Sequence, residues 1–270
     1  MRLVLVTAIL MVSAVPAFAQ STEDLLNAAT KALRGKQPAE ALKLASKAVA
    51  SDPDSVAALT LRASIYDALD KHAEAAADYR KVLDIVAVTH QARGVAAFKA
   101  GKIKESIDEF DRFIALKPDA KISHWQRGIS YYYAGRYDDG RTQFEGSQDF
   151  DSNDVENAVW RFMCMVRKDG IEKARKDMLK IGNDKRVPMR QVYDLYKGDL
   201  KPEDVMKVAK ANNELFYAHL YIGIYYDLLG DKKKAFDHLN QATERYRINH
   251  YMWDVARVHR DLLAKEQKKE

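Results

Sequence analysis

An interval of about 34 residues, repeated along most of the chain, constrains its fold more than any other feature. The clearest unit starts at Lys121. Gly128 and Tyr131 lie about one helical turn apart, Gly135-Arg136-Tyr137 supplies a turn, and Gly140 and Phe144 follow at helical spacing. A unit starting at Ala87 carries Gly94, Ser106, Phe110 and Pro118 in the same register. One from Val56 has Ala63, Tyr66, Ala75 and Tyr79, and one from Thr22 has Ala29, Ala41, Ala48 and Pro53. A later unit from Phe216 has Gly223, Tyr226, Gly230, Ala235 and Ala242. The step from 56 to 87 is 31, a shortened link. Such a period marks stacked helix pairs. Small residues let two helices approach, aromatics fill the facing helix, and proline stops the second helix before the next pair. One pair cannot bury its apolar face alone, so neighbours share a core.

These units resemble the tetratricopeptide repeat over about 22–155 and 216–249, with Gly128, Tyr131, Gly140 and Phe144 at the pattern's glycine, tyrosine, alanine and phenylalanine positions. The resemblance implies an all-α fold: an α-solenoid of antiparallel helix pairs forming a right-handed superhelix. It also implies a non-enzymatic scaffold that binds a protein or peptide in its concave groove. Two C-terminal stretches, Gln191 to Leu200 and Glu214 to Tyr226, are similar to the NlpI-like group of bacterial envelope repeat proteins. That likeness implies adaptor work in the cell envelope and allows a homodimer. The group's type member is a lipoprotein. The single cysteine here, Cys164, stands far from the N-terminus, so lipid tethering does not carry over.

The N-terminus reads as an export signal. Met1-Arg2 is positive, Leu3 to Val15 is apolar, and Ala17 and Ala19 are the small residues a signal peptidase reads. Cleavage is expected between Ala19 and Gln20, giving a periplasmic or secreted protein. The apolar run is too short to span a bilayer. The expected organisation is a signal peptide at 1–19, N-terminal repeats at 20–154, an irregular helical segment at 155–215 continuous with them, and a last repeat with a capping helix at 216–270. Within 155–215, helices are expected at Val155 to Asp169, Ile171 to Ile181, Arg190 to Tyr196 and from Pro202, with Ala211-Asn212-Asn213 as a loop. With one cysteine in an oxidising compartment, no internal disulfide can form. Cys164 lies in the apolar run from Val159 to Val166 and reads as a core residue.

The charge pattern is modest. Formal net charge is +5, or +4 once Arg2 is removed, and 31% of residues are charged. In an exported protein this points away from nucleic acid and suits solubility, wall polymers or acidic partners.

No catalytic arrangement emerges from the residues. There is no zinc-protease helix motif, no phosphate-cradling loop and no serine nucleophile elbow. The seven histidines are scattered. No enzyme activity, cofactor or metal is expected. The first helix of each pair should line the groove. Its expected contact residues are Gln91, Phe98 and Lys99, with Val95, then Trp125, Gln126, Ile129, Tyr132 and Tyr133, then Tyr217 and Tyr221, with Leu220 and Ile224. Tyr and Trp suit such a face because they offer area at low entropy cost. Beside the adaptor reading stand a homodimer with a cell-wall or anionic-surface ligand and, more remotely, a cryptic hydrolase.

Overall fold

The computed structural model describes residues 20–267, so the export signal expected at 1–19 lies outside the described residues. Among the described residues there are fourteen α-helices and no strand. They fall into two compact units that meet at Ile85 and Val86.

The N-terminal unit is a small alanine-rich stack. Helices α1 (Thr22–Arg34), α2 (Pro38–Ser51), α3 (Val56–Ala68) and the start of α4 (His72–Lys99) build it. Ser21 and Asp24 cap α1 reciprocally, the serine hydroxyl accepting from the Asp24 N–H. Pro38 opens α2 at a position where its missing N–H costs nothing. Ala29, Ala41, Ala45, Ala48, Ala58 and Ala63 are fully buried, so the helices approach closely. Arg62 makes a two-pronged bond to Asp78, 2.7 Å on each arm, tying α3 to α4.

Helix α4 accounts for the shortened step of the repeat. The links before α3 and after α5 carry Pro53 and Pro118, but no proline or glycine occurs from Arg80 to Arg93. The second helix of one pair therefore runs straight into the first helix of the next.

The larger unit continues with α5 (Ile103–Leu116), α6 (Trp125–Tyr133), α7 (Tyr137–Phe150), α8 (Val155–Asp169), α9 (Ile171–Lys176), α10 (Met189–Lys197), α11 (Pro202–Val208), α12 (Asn212–Leu228), α13 (Lys232–Asn240) and α14 (Tyr251–Gln267). Its helix crossings show why the repeat needs small residues. A Cβ on Gly94 would come within 2.5 Å of the Phe110 ring, one on Gly128 within 2.7 Å of Phe144, and one on Gly223 within 2.8 Å of Leu239. Turns between paired helices place Gly101, Gly135 and Gly230 at φ of 72°, 72° and 83°, where a side chain is disfavoured.

Several boundaries differ from the sequence expectation. Helix α6 begins at Trp125, four residues into its unit, because Pro118–Lys121 forms a separate 3₁₀ turn and the His124 ring accepts the Arg127 N–H. Helix α9 ends at Lys176 rather than Ile181. The chain beyond it folds over the start of α8, where Gly182 N–H meets the Ser152 carbonyl at 2.9 Å and Val155 N–H meets Asp184 at 3.2 Å. The expected loop at Ala211 to Asn213 is instead the start of α12. Glu214 accepts the N–H groups of Lys210 and Ala211 at 2.8 and 3.0 Å and so nucleates the first turn.

Helix α14 does more than end the stack. Tyr251 packs on Phe98 of α4 and Trp125 of α6, with ring centres 5.1 and 5.3 Å apart. Asp254 pairs with Lys99 at 3.2 Å, and Arg257 donates to the Lys99 carbonyl at 2.5 Å. The Tyr133 hydroxyl lies 3.0 Å from His259 Nδ1, and the other ring nitrogen, Nε2, faces Asp227 at 3.2 Å. The helix thus lies against the first helices of two repeat pairs.

Candidate functional site

The residues expected to form the groove separate into two groups. Phe98, Ile129, Tyr132 and Tyr221 are 0, 1, 5 and 0% exposed and belong to the core, which corrects their assignment as contact residues. Phe98 is covered by Tyr251. Tyr132 packs among Tyr133, Tyr137 and Trp160 and accepts from Arg167 at 3.2 Å. Tyr221 is turned inward and donates to Glu156. Leu220 and Ile224 are also fully buried. The physical reason is common to all of them: a face this apolar is more stable packed against α8, α10 and α14 than left wet.

Gln91, Lys99, Trp125, Gln126, Tyr133 and Tyr217 keep access to solvent. Gln91 donates to Gln126 at 2.5 Å and accepts from His124 at 2.7 Å. Burial lowers the His124 pKa to about 4, so the ring is neutral and can hold both bonds. Val95, Lys99 and Gln126 line an open hollow of about 760 Å³ whose other wall is the segment Arg247 to Tyr251 with Trp253 and Asp254.

Trp125 and Tyr217 meet at a second, smaller cavity of about 210 Å³. Trp160 and Phe144 lie stacked beside it, 6.1 Å between ring centres. Trp125 lies nearly parallel to His250, at 14° and 6.4 Å. Asp154 at the N-cap of α8, Glu156 and Asn157 from its first turn, Arg186 from the segment before α10, and Met252 complete the lining. Burial and the neighbouring Asp154 raise the Glu156 carboxyl above its ordinary range, against the pull of Arg186 and Tyr221. For Arg186, burial opposes the charge, but Asp184, Glu156 and Asp154 outweigh it and keep the guanidinium protonated. The His250 ring is pushed down by partial burial and by Arg186. Its Nδ1 accepts the Met252 N–H at 3.3 Å.

Sequence reasoning missed Trp160, Glu156, Arg186 and His250 as members of one cavity. Trp160 sits in the apolar run that reads as core, and it is 1% exposed. Arg186 lies in an irregular segment with no periodicity to place it. An acidic start to α8 was visible, but such charge usually only answers the helix dipole.

A separate ionic hub centres on Asp227 of α12, 3% exposed, which faces Arg167, Lys232 at 2.6 Å and His259. Cys164 is buried and its thiol is pushed up to about 12 by desolvation, which disfavours the reactive thiolate. Its sulfur lies where a Cβ on Gly140 would come within 2.8 Å. Among the described residues no group of three or more His, Cys, Asp or Glu is placed to hold a metal ion. No described helix is long and apolar enough to cross a membrane.

Family models for the tetratricopeptide repeat match residues 26–87, 92–155 and 217–247. Solved structures to which the chain is similar include a tetratricopeptide repeat protein from Parabacteroides merdae ATCC 43184, 14% identical over 91% of this chain and 100% of that one, with a TM-score of 0.39. PilW, described as a widely conserved type IV pilus biogenesis factor, is 16% identical over 87% of this chain and 97% of that one, with a TM-score of 0.34. Pseudomonas aeruginosa PilF is 16% identical over 88% and 97%, with a TM-score of 0.32. The repeat matches, the all-helical structure and the glycine-to-ring crossings agree, and the chain belongs to the tetratricopeptide-repeat family.

Proposed function

We propose that this protein is an exported scaffold that binds a partner protein through the accessible part of its first-helix face. The observation that carries the reading is the exposed edge of that face. Gln126 and Lys99 remain open around the hollow that α14 borders, and Trp125 and Tyr217 open onto the adjoining cavity. Such a surface offers rigid aromatic area beside amide and charged groups, the mixture that dominates protein recognition. Export rests on the charged start, apolar run and Ala17/Ala19 pair at the N-terminus. A role in the envelope rests on that signal together with the NlpI-like stretches. Those two stretches pack on each other, the Tyr196 hydroxyl donating to the Tyr221 carbonyl at 2.9 Å.

The test is affinity capture from an envelope extract with the intact protein, the Trp125→Ala and Gln126→Ala variants, and Lys104→Ala on α5 as a control. The reading expects a set of partners recovered by the intact protein and by Lys104→Ala but depleted about tenfold or more with Trp125→Ala, the size expected for an aromatic hot spot. Recovery of the same proteins by all four would contradict it.

A further inference from the structure

The 210 Å³ cavity between α6, α8 and α12 has a charge balance that its own residues do not close. Arg186 is its one fixed cation, and that guanidinium is already engaged. Its Nε meets Asp184 at 3.0 Å, one terminal nitrogen meets Glu156 at 2.8 Å, and the other meets Asp184 at 2.6 Å and Asp154 at 2.5 Å. Three carboxylates therefore share one cation. A ligand carboxylate would find Asp154 and Glu156 at the lining and Arg186 spent, so an acidic occupant is opposed. A cationic occupant is favoured by the same groups.

The walls point the same way. Trp125, Trp160, Tyr217 and His250 surround the space with aromatic rings, and indole and phenol faces attract a cation that has shed its water. Trp160 lines the space with its ring, while its indole nitrogen is buried and finds no hydrogen-bond partner among the described residues. The volume suits one amino-acid residue and falls below the roughly 300–1,000 Å³ of a cofactor or drug-sized site.

We infer that this cavity receives a single basic side chain, lysine or arginine, from a bound protein, with its cation toward Glu156 and Asp154 and its stem between Trp125 and Tyr217. This rests on the reading of the first-helix face as a partner surface. It gives that surface a specificity: the partner segment is basic.

The experiment is a titration of the full chain with Nα-acetyl-lysine methylamide, followed by the indole N–H resonances in a proton–nitrogen correlation spectrum. Three tryptophans give three resonances. Trp125→Phe and Trp253→Phe assign the signal of Trp160, and Trp253 is an internal reference because its N–H is held by the Thr243 carbonyl at 3.1 Å. The inference expects a saturable shift of the Trp160 signal with the lysine compound and none with the norleucine compound of the same shape. Glu156→Gln should weaken the lysine response about tenfold, the scale of one charge-assisted bond. Because Glu156 also supports Tyr221, Tyr217→Leu serves as a second variant on a half-buried wall, with a loss of about fivefold expected. A Trp160 signal unmoved by the lysine compound, moved equally by norleucine, or moved more by Nα-acetyl-glutamate methylamide would overturn the inference. If those results came while envelope capture still depended on Trp125, the basic-residue pocket would fall and the scaffold reading would stand.

Discussion

Two glycines in neighbouring helices should respond oppositely to the same substitution. Gly128 faces Phe144, so a methyl there meets the ring at 2.7 Å and must push it aside. Gly146, also helical, would place its methyl no closer than 4.0 Å, against Ile122. Overpacking costs about 1–3 kcal/mol, while replacing a mid-helix glycine by alanine gains about 0.5–1 kcal/mol. Gly128→Ala should lower unfolding stability and Gly146→Ala should raise it, read by urea titration. A stabilising Gly128→Ala would mean that the crossing is looser than described.

At the same scale, Asp227 is a titrating tie. Burial alone would raise its carboxyl, but the bond and charge of His259, the charge of Arg167 and the bond from Lys232 outweigh burial and hold it well below the usual range. A depressed folded pKa means that the stabilisation is fully present above the unfolded value of about 4 and is lost as pH falls below it. Removing the carboxylate leaves three buried or half-buried donors without their counter-ion, at a cost of about 3–5 kcal/mol. Asp227→Asn should therefore unfold more readily than the intact protein at pH 7, with the gap narrowing as the pH is lowered from about 5 towards 2. A gap independent of pH would show that Asp227 contributes only through packing.

Among the elements, α14 is the one whose role the sequence least discloses. Its own pattern, with Met252, Val255, Val258 and Leu263 all buried, marks an amphipathic helix. Where that stripe lands depends on contacts such as Tyr133 with His259, 126 residues apart, which no local signal encodes. By contrast, Gly94 with Phe110 or Gly128 with Phe144 lie 16 residues apart within one pair, so the repeat pattern exposes them directly. This difference separates the legible part of the site from the hidden part. The helix bearing Trp125 and Gln126 was readable, whereas the burial of Phe98, Tyr132 and Tyr221 followed from partners far along the chain. Those four buried side chains of α14 represent about 6–12 kcal/mol of apolar burial, comparable with the roughly 5–15 kcal/mol that stabilises a whole domain. A chain truncated before Tyr251 should bind a hydrophobic dye strongly and lose its cooperative unfolding transition. A truncated chain that melts like the intact one would contradict the packing described for α14.

At the scale of the molecule, the chain holds two compact units of different character. The N-terminal unit is closed by alanines, and the larger unit by tryptophan, tyrosine and phenylalanine. Only the latter carries the open aromatic edge and the acid-lined cavity. The division at Ile85 and Val86 falls inside a helix, where the sequence shows merely a repeat three residues short. Arg186 was out of reach of sequence reasoning for a related cause: it lies in a stretch whose conformation is set by α8 rather than by its own periodicity.

The central claim is that a partner contacts the open edge of the first-helix face in the larger unit. Its most direct test is site-specific photo-crosslinking in the native cell, with benzoylphenylalanine placed at Gln126 and, separately, at the exposed Lys104 of α5. The account predicts a discrete light-dependent adduct from position 126 and none from position 104. Adducts from 104 alone, or from neither position, would contradict it.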